Sequence, residues 1–226
     1  MSDSIEVEVT IDVEKDAYET FCQEMNSFLV DIYDQWNVFF NTVDNSLLNS
    51  AKRCRVRSIN AQNSPNKYTI TAKTSKSDAI EGAVAVRREI ETHISKEQFD
   101  SIICQPQNYY KLAPSIIQQE LNEFAEIPFK FLIDFRSIRR IFKLGEFLVE
   151  SDECELPNGV VFYQLEVESN KPDEAKAALE QKLNEIGVKF TPAKYGKFTR
   201  LLGIPEGERY SPRLQKQIED NKNQNL

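Results

Sequence analysis

The chain has 226 residues and a formal net charge of −8, with 40% hydrophobic and 28% charged residues. This length and composition predict a globular fold, and the polar termini and loops offer no linker that would split it. No apolar run approaches the roughly 20 residues that a membrane span needs. The first residues lack the features of a signal peptide, so we expect a cytoplasmic protein with no membrane partner. The acidic balance argues against broad, sequence-independent binding to nucleic acid, which depends on a basic surface.

The chain has few histidine and cysteine residues that could serve in catalysis or metal binding. His93 is the only histidine, and the four cysteines include no C-x-x-C pair. A zinc site or a disulfide framework is therefore not indicated. Any bound metal would be held by carboxylate oxygens, which suits Mg²⁺ or Mn²⁺.

The first half of the chain predicts strands separated by helices and polar loops. Residues 14–36 carry apolar side chains at helical spacing with acidic residues early, which predicts an amphipathic helix with Trp36 on its buried side. Ser95, followed by Gln98, predicts the cap of a second helix. The predicted strands lie at 5–12, at 39–42 before a polar loop, at 53–60 and 67–73 as a hairpin, and at 84–94.

The second half predicts a helix at 112–126 and then a run of strands. A turn at Gly145 separates the strand at 139–144 from the next, and Gly187 closes a helix that begins at residue 173. The predicted strands here lie at 129–135, 139–144, 146–152 and 160–169. A last amphipathic helix is predicted at 194–203. We expect one domain over residues 1–205 and a flexible polar tail at 206–226.

Charged residues occupy every second position in several of the predicted strands. Side chains alternate between the two faces of a strand, so each segment sends its charges to one face and its apolar residues to the other. Some strands carry acidic clusters, as in Glu6-Val7-Glu8, and others carry basic ones, as in Arg55-Val56-Arg57. This mixture predicts a polar cavity that holds metal cations and a polyanion together.

The order of these segments resembles the CYTH superfamily, the triphosphate tunnel metalloenzymes. The E-x-E-x-K strand of the family is matched by Glu6 to Thr10, its loop by Asn41 to Asp44, and its L-R-x-R by Arg55 to Arg57. The later motifs T-x-K, R-x-E-x-E, K-x-R, a lone Asp, E-x-E and the C-terminal helix are matched at 71–73, 87–91, 137–139, 152, 166–168 and 194–202. The resemblance implies an α+β fold, an eight-stranded antiparallel β-barrel that forms a tunnel with a charged lumen and surrounding helices.

The same resemblance implies roles for the charged residues. Glu6, Glu8 and Glu168 are the implied ligands of a first metal. A second metal, or the orientation of water, is implied for Asp152, Glu166, and Glu89 or Glu91. The residues implied to bind phosphate oxygens are Arg55, Arg57, Lys73, Arg87 and Arg139, with Lys194 or Lys197 closing one end.

Two positions depart from the family pattern. Thr10 stands where the family has the lysine of its first strand, and Ser137 replaces the first lysine of K-x-R. The loss of two cations weakens the expected hold on phosphate and leaves the rate of catalysis open.

The resemblance implies a Mg²⁺- or Mn²⁺-dependent hydrolase that acts on inorganic triphosphate or on a triphosphorylated organic compound. Arg53 and Cys54 stand where thiamine triphosphatases carry an aromatic residue, which argues against thiamine triphosphate. Three alternatives stay open. The chain could be an RNA triphosphatase that acts on 5′-triphosphorylated RNA ends, a class IV-type adenylate cyclase, or a catalytically weak module that binds polyphosphate or nucleotide.

Overall fold

The computed structural model describes residues 2–74 and 84–224 and consists of strands surrounded by helices. The strands are β1 (Ser2–Val13), β2 (Leu29–Thr42), β3 (Lys52–Ala61), β4 (Lys67–Thr74), β5 (Val84–His93), β6 (Phe129–Leu144), β7 (Phe147–Glu155), β8 (Val161–Glu168) and β9 (Phe190–Pro192). The helices are α1 (Lys15–Glu24), α2 (Ser46–Asn49), α3 (Lys96–Cys104), α4 (Asn108–Leu112), α5 (Ser115–Glu120), α6 (Pro172–Glu185), α7 (Lys197–Leu202) and α8 (Pro212–Gln224). None of the helices in the described ranges is long and apolar enough to cross a membrane.

The first eight strands form a closed antiparallel barrel, which confirms the predicted fold. Their order around the barrel is β5-β4-β3-β2-β6-β7-β8-β1, and β1 pairs with β5 to close the ring. The short strand β9 pairs with the end of β1 from Ile11 to Val13, beyond the part that pairs with β5. Each of the eight strands is therefore paired on both edges over most of its length, which leaves little exposed edge for association with other chains.

The core lies mainly between the barrel wall and the helices outside it. Helices α3, α4, α5 and α8 cover the outer faces of β2 to β5 around Tyr109, Phe40 and Ile102. Helices α1 and α6 cover β1 and β8 around Phe21 and Leu179. Because the apolar residues of the strands face these helices, the charged residues of the same strands face the barrel interior.

The predicted helix at 14–36 was wrong in its second half. Helix α1 ends at Glu24, and β2 begins at Leu29. The first part of β2, from Leu29 to Asp34, is mostly only partly buried, and Leu29 and Ile32 continue the helical spacing of Phe21 and Phe28, so the pattern did not reveal where the helix ends. Trp36 therefore lies on a strand, although its predicted place in the core is confirmed.

Three other elements differ from the prediction. The segments predicted as separate strands at 129–135 and 139–144 are one long strand, β6, and the helix predicted at 112–126 shortens to α5 and a 3₁₀ turn at Asn122–Phe124. The tail expected to be flexible contains helix α8, which buries Leu214 completely. The apolar residues of this helix are few, and only the packing partner on the barrel makes the helix stable.

Candidate functional site in the barrel lumen

The barrel encloses a cavity of about 410 Å³, which we call the lumen. Seven acidic and seven basic side chains line it. Lys197 comes from α7, and the others come from alternating, inward-pointing positions of β1, β3, β4, β5, β6, β7 and β8. The acidic residues are Glu6, Glu8, Glu89, Glu91, Glu150, Glu166 and Glu168. The basic residues are Arg53, Arg55, Arg57, Lys73, Arg87, Arg139 and Lys197.

The structure brings nearly all of the predicted site residues into this one lumen. Asp152 is not part of the lining, but it is completely buried and contacts two residues that are. Lys194 is exposed and lies outside the lining, so of the two alternative lysines the structure places Lys197 in the lumen. Arg88, on the opposite face of β5 from Arg87, also lies outside.

One half of the lumen is organised around Lys73 and Arg55. The Lys73 ammonium contacts the carboxylates of Glu6 and Glu89. The Arg55 guanidinium donates to Glu89 and Glu91, each at 3.2 Å. These contacts follow from the register, since β4 lies between β3 and β5 and sends its inward residues between theirs.

The other half is organised around Arg139. Its guanidinium makes a two-point contact with Asp152, with Nε and Nη2 at 2.8 and 2.7 Å from the carboxylate oxygens. It also contacts Glu150, and Glu166 at 3.2 Å. Lys197 approaches the same carboxylates from α7, with its Nζ 2.8 Å from Asp152. Such planar pairing fixes the geometry of both partners.

Helix α7 closes one end of the lumen. Phe198 packs against Phe39 with ring centroids 5.0 Å apart, and Arg53 lies 4.4 Å over the Phe198 ring. Gly196 precedes this helix, and a Cβ at that position would come within 3.0 Å of the Arg87 guanidinium. A side chain at this position would therefore have to displace the Arg87 guanidinium from its place beside α7.

The carboxyl groups of the lumen have shifted pKa values. Burial opposes the ionisation of Glu8, but Lys73, Lys197 and Arg87 outweigh it and lower the pKa to about 2. Burial raises the pKa of Glu6 to about 7 against the attraction of Lys73. Burial likewise raises the pKa of Glu166 to about 8, with Glu8 and Asp152 adding repulsion. The carboxyl groups are thus too crowded for the cations present to ionise all of them.

A divalent cation fits this donor set. Oxygen atoms of Glu150, Asp152 and Glu166 lie within 4.8 Å of one another. Carboxylate oxygens are the ligands that hard divalent cations prefer, and such a cation would favour the ionised form of Glu166. Glu168 faces Glu8 across the β1–β8 pair and, among the described residues, forms no hydrogen bond or ion pair, so its carboxylate is also available.

Arg57 carries a positive charge that the described carboxylates do not pair. Its Nε donates to Asn37 Oδ1 at 2.7 Å, and it forms no ion pair within residues 2–74 and 84–224. Burial, then the neighbouring Arg55, lowers the pKa of Arg57 to about 10. Elsewhere in the lumen lining, the Nε atoms of Arg55 on β3 and Arg87 on β5 are buried without a hydrogen-bond partner among the described residues. Unsatisfied cationic donors in an enclosed space favour the binding of an anion.

The two departures from the family pattern have distinct surroundings. Thr10 pairs with Glu166 across β1 and β8, is completely buried, and donates to Glu8 Oε1 at 2.7 Å. Lys197 contacts that same Glu166, so a cation from α7 lies beside the position where β1 lacks one. Ser137 donates to Gln35 Oε1 at 3.1 Å, and no such cation contacts this pair in the described part of the chain.

The sequence reasoning missed two charged residues of the lumen, Arg53 and Glu150. The signal for both was present, because Arg53 shares the alternation of Arg55 and Arg57, and Glu150 lies two residues before Asp152. Ser137 and Thr71 were already noted as positions of family motifs, but the neutral residues of β2 were not anticipated. They are Gln35, Asn37 and Phe39, and Phe135 of β6 lies in the lining with them.

Comparison with known proteins identifies the family. HpAC1 from Hippeastrum, a protein with a dominant triphosphatase activity, has a TM-score of 0.79 and 22% identity, with coverage of 90% of this chain and 99% of that one. An adenylate-cyclase-like protein from Bacillus halodurans has a TM-score of 0.68 and 17% identity, with coverage of 88% and 98%. PH1819 from Pyrococcus horikoshii has a TM-score of 0.56 and 18% identity, with coverage of 87% and 97%. No curated protein matches the chain. The sequence profile of the CYTH domain matches residues 4–193, and the chain therefore belongs to the CYTH domain family.

Proposed function

We propose that this protein is a divalent-metal-dependent hydrolase that cleaves a phosphoanhydride bond of inorganic triphosphate or of a triphosphorylated organic compound. The observation that carries the proposal is the unpaired, half-buried Arg57 in a closed lumen that otherwise balances acid against base. A triphosphate carries about four negative charges, and Arg57 and its neighbours offer donors that match phosphoryl oxygens.

Charge balance argues for metal together with the phosphate chain. Because acidic and basic lining residues are equal in number, a triphosphate alone would add uncompensated negative charge beside the carboxylates. Divalent cations would offset that charge, and a bound Mg²⁺ or Mn²⁺ supplies Lewis acidity toward phosphoryl oxygens or an activated water. In the proposal, Glu6, Glu8 and Glu168 hold one ion, and Glu150, Asp152 and Glu166 hold another or orient water.

The basic residues bind and orient the phosphate chain. Arg55, Arg57 and Lys73 lie on the adjacent strands β3 and β4, and Arg87, Arg139 and Lys197 complete the ring from other sides. An enclosed, low-dielectric lumen strengthens each contact and fixes the reacting bond relative to the carboxylates. The triphosphatase activity of the structurally similar HpAC1 supports this reading, and the cyclase-like relative keeps ATP among the substrates to be tested.

A substrate panel tests the proposal. Purified protein is mixed with tripolyphosphate, thiamine triphosphate, ATP and 5′-triphosphorylated RNA, each with Mg²⁺, Mn²⁺ or chelator, and phosphate and pyrophosphate are measured. We expect phosphate release that requires metal. Pyrophosphate with a cyclic product would replace the hydrolase by a cyclase, and tight binding without any product would indicate a binding module. If the protein neither binds nor turns over any of these triphosphates, the proposal is refuted.

A further inference from the structure

Asn37 is a polar side chain of the lumen with an unused hydrogen-bond donor. It lies on β2, is completely buried, and lines the lumen on its uncharged side. Its Oδ1 accepts a hydrogen bond from Arg57 Nε at 2.7 Å, which fixes the orientation of the amide, because the opposite orientation would set two donors against each other. The Nδ2 group is then left without a partner in the described residues.

The unpaired Nδ2 group of Asn37 indicates a binding position for a ligand, since native structures leave few buried polar groups unsatisfied. The other asparagine of this strand is satisfied internally. Asn41, also on β2 and completely buried, donates from Nδ2 to Asn45 at 2.8 Å and accepts two backbone hydrogen bonds. The donor of Asn37 differs because it adjoins the lumen and Arg57, whose own charge has no carboxylate partner among the described residues.

We propose that Asn37 is a substrate-binding residue, whose Nδ2 donates to a phosphoryl oxygen of the triphosphate while its Oδ1 holds the Arg57 guanidinium toward the same phosphoryl group. The inference rests on the proposed function. The Asn37 Nδ2 group and the Arg57 guanidinium are both donors, so the ligand must be a hydrogen-bond acceptor. Because the guanidinium is also a cation, the ligand must be an anion. A phosphoryl oxygen is the acceptor that the proposed substrate supplies.

Neutrality is what makes an amide suitable at this position. Arg55 and Arg139 already add repulsion to Arg57, so a further cation would meet three like charges before any substrate arrived. An amide adds a donor without adding charge. The neighbouring Ser137, which stands where the family has a lysine, and Gln35 keep the same side of the lumen uncharged.

Calorimetric titration with tripolyphosphate, with and without Mg²⁺, tests this role. Asn37→Asp keeps the size of the side chain and the acceptor for Arg57, but replaces the Nδ2 donor with a negative charge. Asn37→Ala removes both interactions without adding a charge, so it separates the loss of the side chain from the effect of the new carboxylate in Asn37→Asp. The matched control is Asn41→Asp, an equally buried change on the same strand but outside the lumen lining. Thermal melting of all variants checks the fold.

We expect Asn37→Ala to weaken tripolyphosphate binding about tenfold, and Asn37→Asp about a hundredfold because repulsion is added to the lost donor. The control should keep the affinity of the wild type. In a double-mutant cycle, Asn37→Ala and Arg57→Ala should be strongly non-additive, since one residue holds the other.

The outcomes separate the inference from the proposed function. Wild-type affinity in both Asn37 variants, with tripolyphosphate still bound, would overturn the role of Asn37 and leave the proposed function standing. A wild-type protein that binds no triphosphate would refute both. Equal losses in the Asn41 control would show that the effect is one of packing and would likewise overturn the inference.

Discussion

Thr10→Lys restores the lysine of the family pattern, and the structure predicts that it harms this protein. The family lysine would lie beside Glu8 and Glu166, but Lys197 already contacts Glu166 from helix α7. Thr10 is completely buried, so the new ammonium could not move into solvent. Two like charges about 4–6 Å apart repel by about 3–4 kcal/mol at an effective dielectric constant of 20. Attraction to Glu8 and Glu166 offsets this repulsion, but the cost of taking a new ammonium out of water remains, which leaves a net loss of about 2 kcal/mol in stability.

Urea unfolding followed by the fluorescence of Trp36, the only tryptophan, measures this loss. Thr10→Met has a side chain of similar length without charge, so the difference between the lysine and methionine variants isolates the electrostatic part from overpacking. Combining Thr10→Lys with Lys197→Met should recover most of that difference, because the new ammonium then replaces the one removed. Turnover of tripolyphosphate should follow the same order.

Three results would contradict this reasoning. The lysine variant could be as stable as the methionine variant, its effect could be additive with Lys197→Met, or it could raise kcat with Lys197 in place. Any of them would mean that Lys197 does not supply the positive charge that β1 lacks at position 10.

Three further predictions concern the lumen and the C-terminal helix. Glu8→Gln should abolish metal-dependent turnover with the fold intact, because it removes a buried carboxylate that its pKa of about 2 keeps ionised; phosphate release at the wild-type rate would remove Glu8 from the proposed metal site. Lys73→Ala should weaken tripolyphosphate binding tenfold to a hundredfold by calorimetry, whereas the exposed Lys143→Ala should not, and equal affinities would exclude Lys73 from the site. Asp134→Ala should cost about 3 kcal/mol in urea unfolding and expose α8 to protease, because this buried carboxylate accepts hydrogen bonds from Trp36 and from the cap of α8. The exposed Asp34→Ala should cost less than about 1 kcal/mol, and a similar cost for both would contradict the role of Asp134.

Alternation of charge predicted a polar cavity, and the family resemblance placed that cavity inside a barrel. A one-residue shift of register would have sent every charge outward, so the pairs at 6 and 8, 55 and 57, and 166 and 168 could face inward together only in one arrangement. The same rule, applied without reference to the family motifs, would also have found Arg53 and Glu150. Their omission came from matching motifs rather than from a lack of signal.

Features that depend on tertiary packing could not be predicted in this way. The apolar residues at the start of β2 continue the spacing of the preceding helix, so the sequence pattern alone does not show that the helix ends at Glu24. Helix α8 has a polar sequence, and its stability comes from Leu214 and from Asp134, which lies about 80 residues earlier in the chain. Asn37 looks like any other polar residue in the sequence, and only its pairing with Arg57 marks it.

The closing pair between β1 and β5 has a consequence for how the barrel assembles. Strand β1 pairs with β5 and with β8, which follow it by about 80 and 160 residues along the chain, so its two long edges stay open until distant segments arrive. Pairings of this kind make folding slow, because the entropy of closing long loops precedes the contacts that repay it. Closure of the barrel therefore transfers a full set of opposite charges into an enclosed space, where their mutual pairing must offset the cost of leaving water.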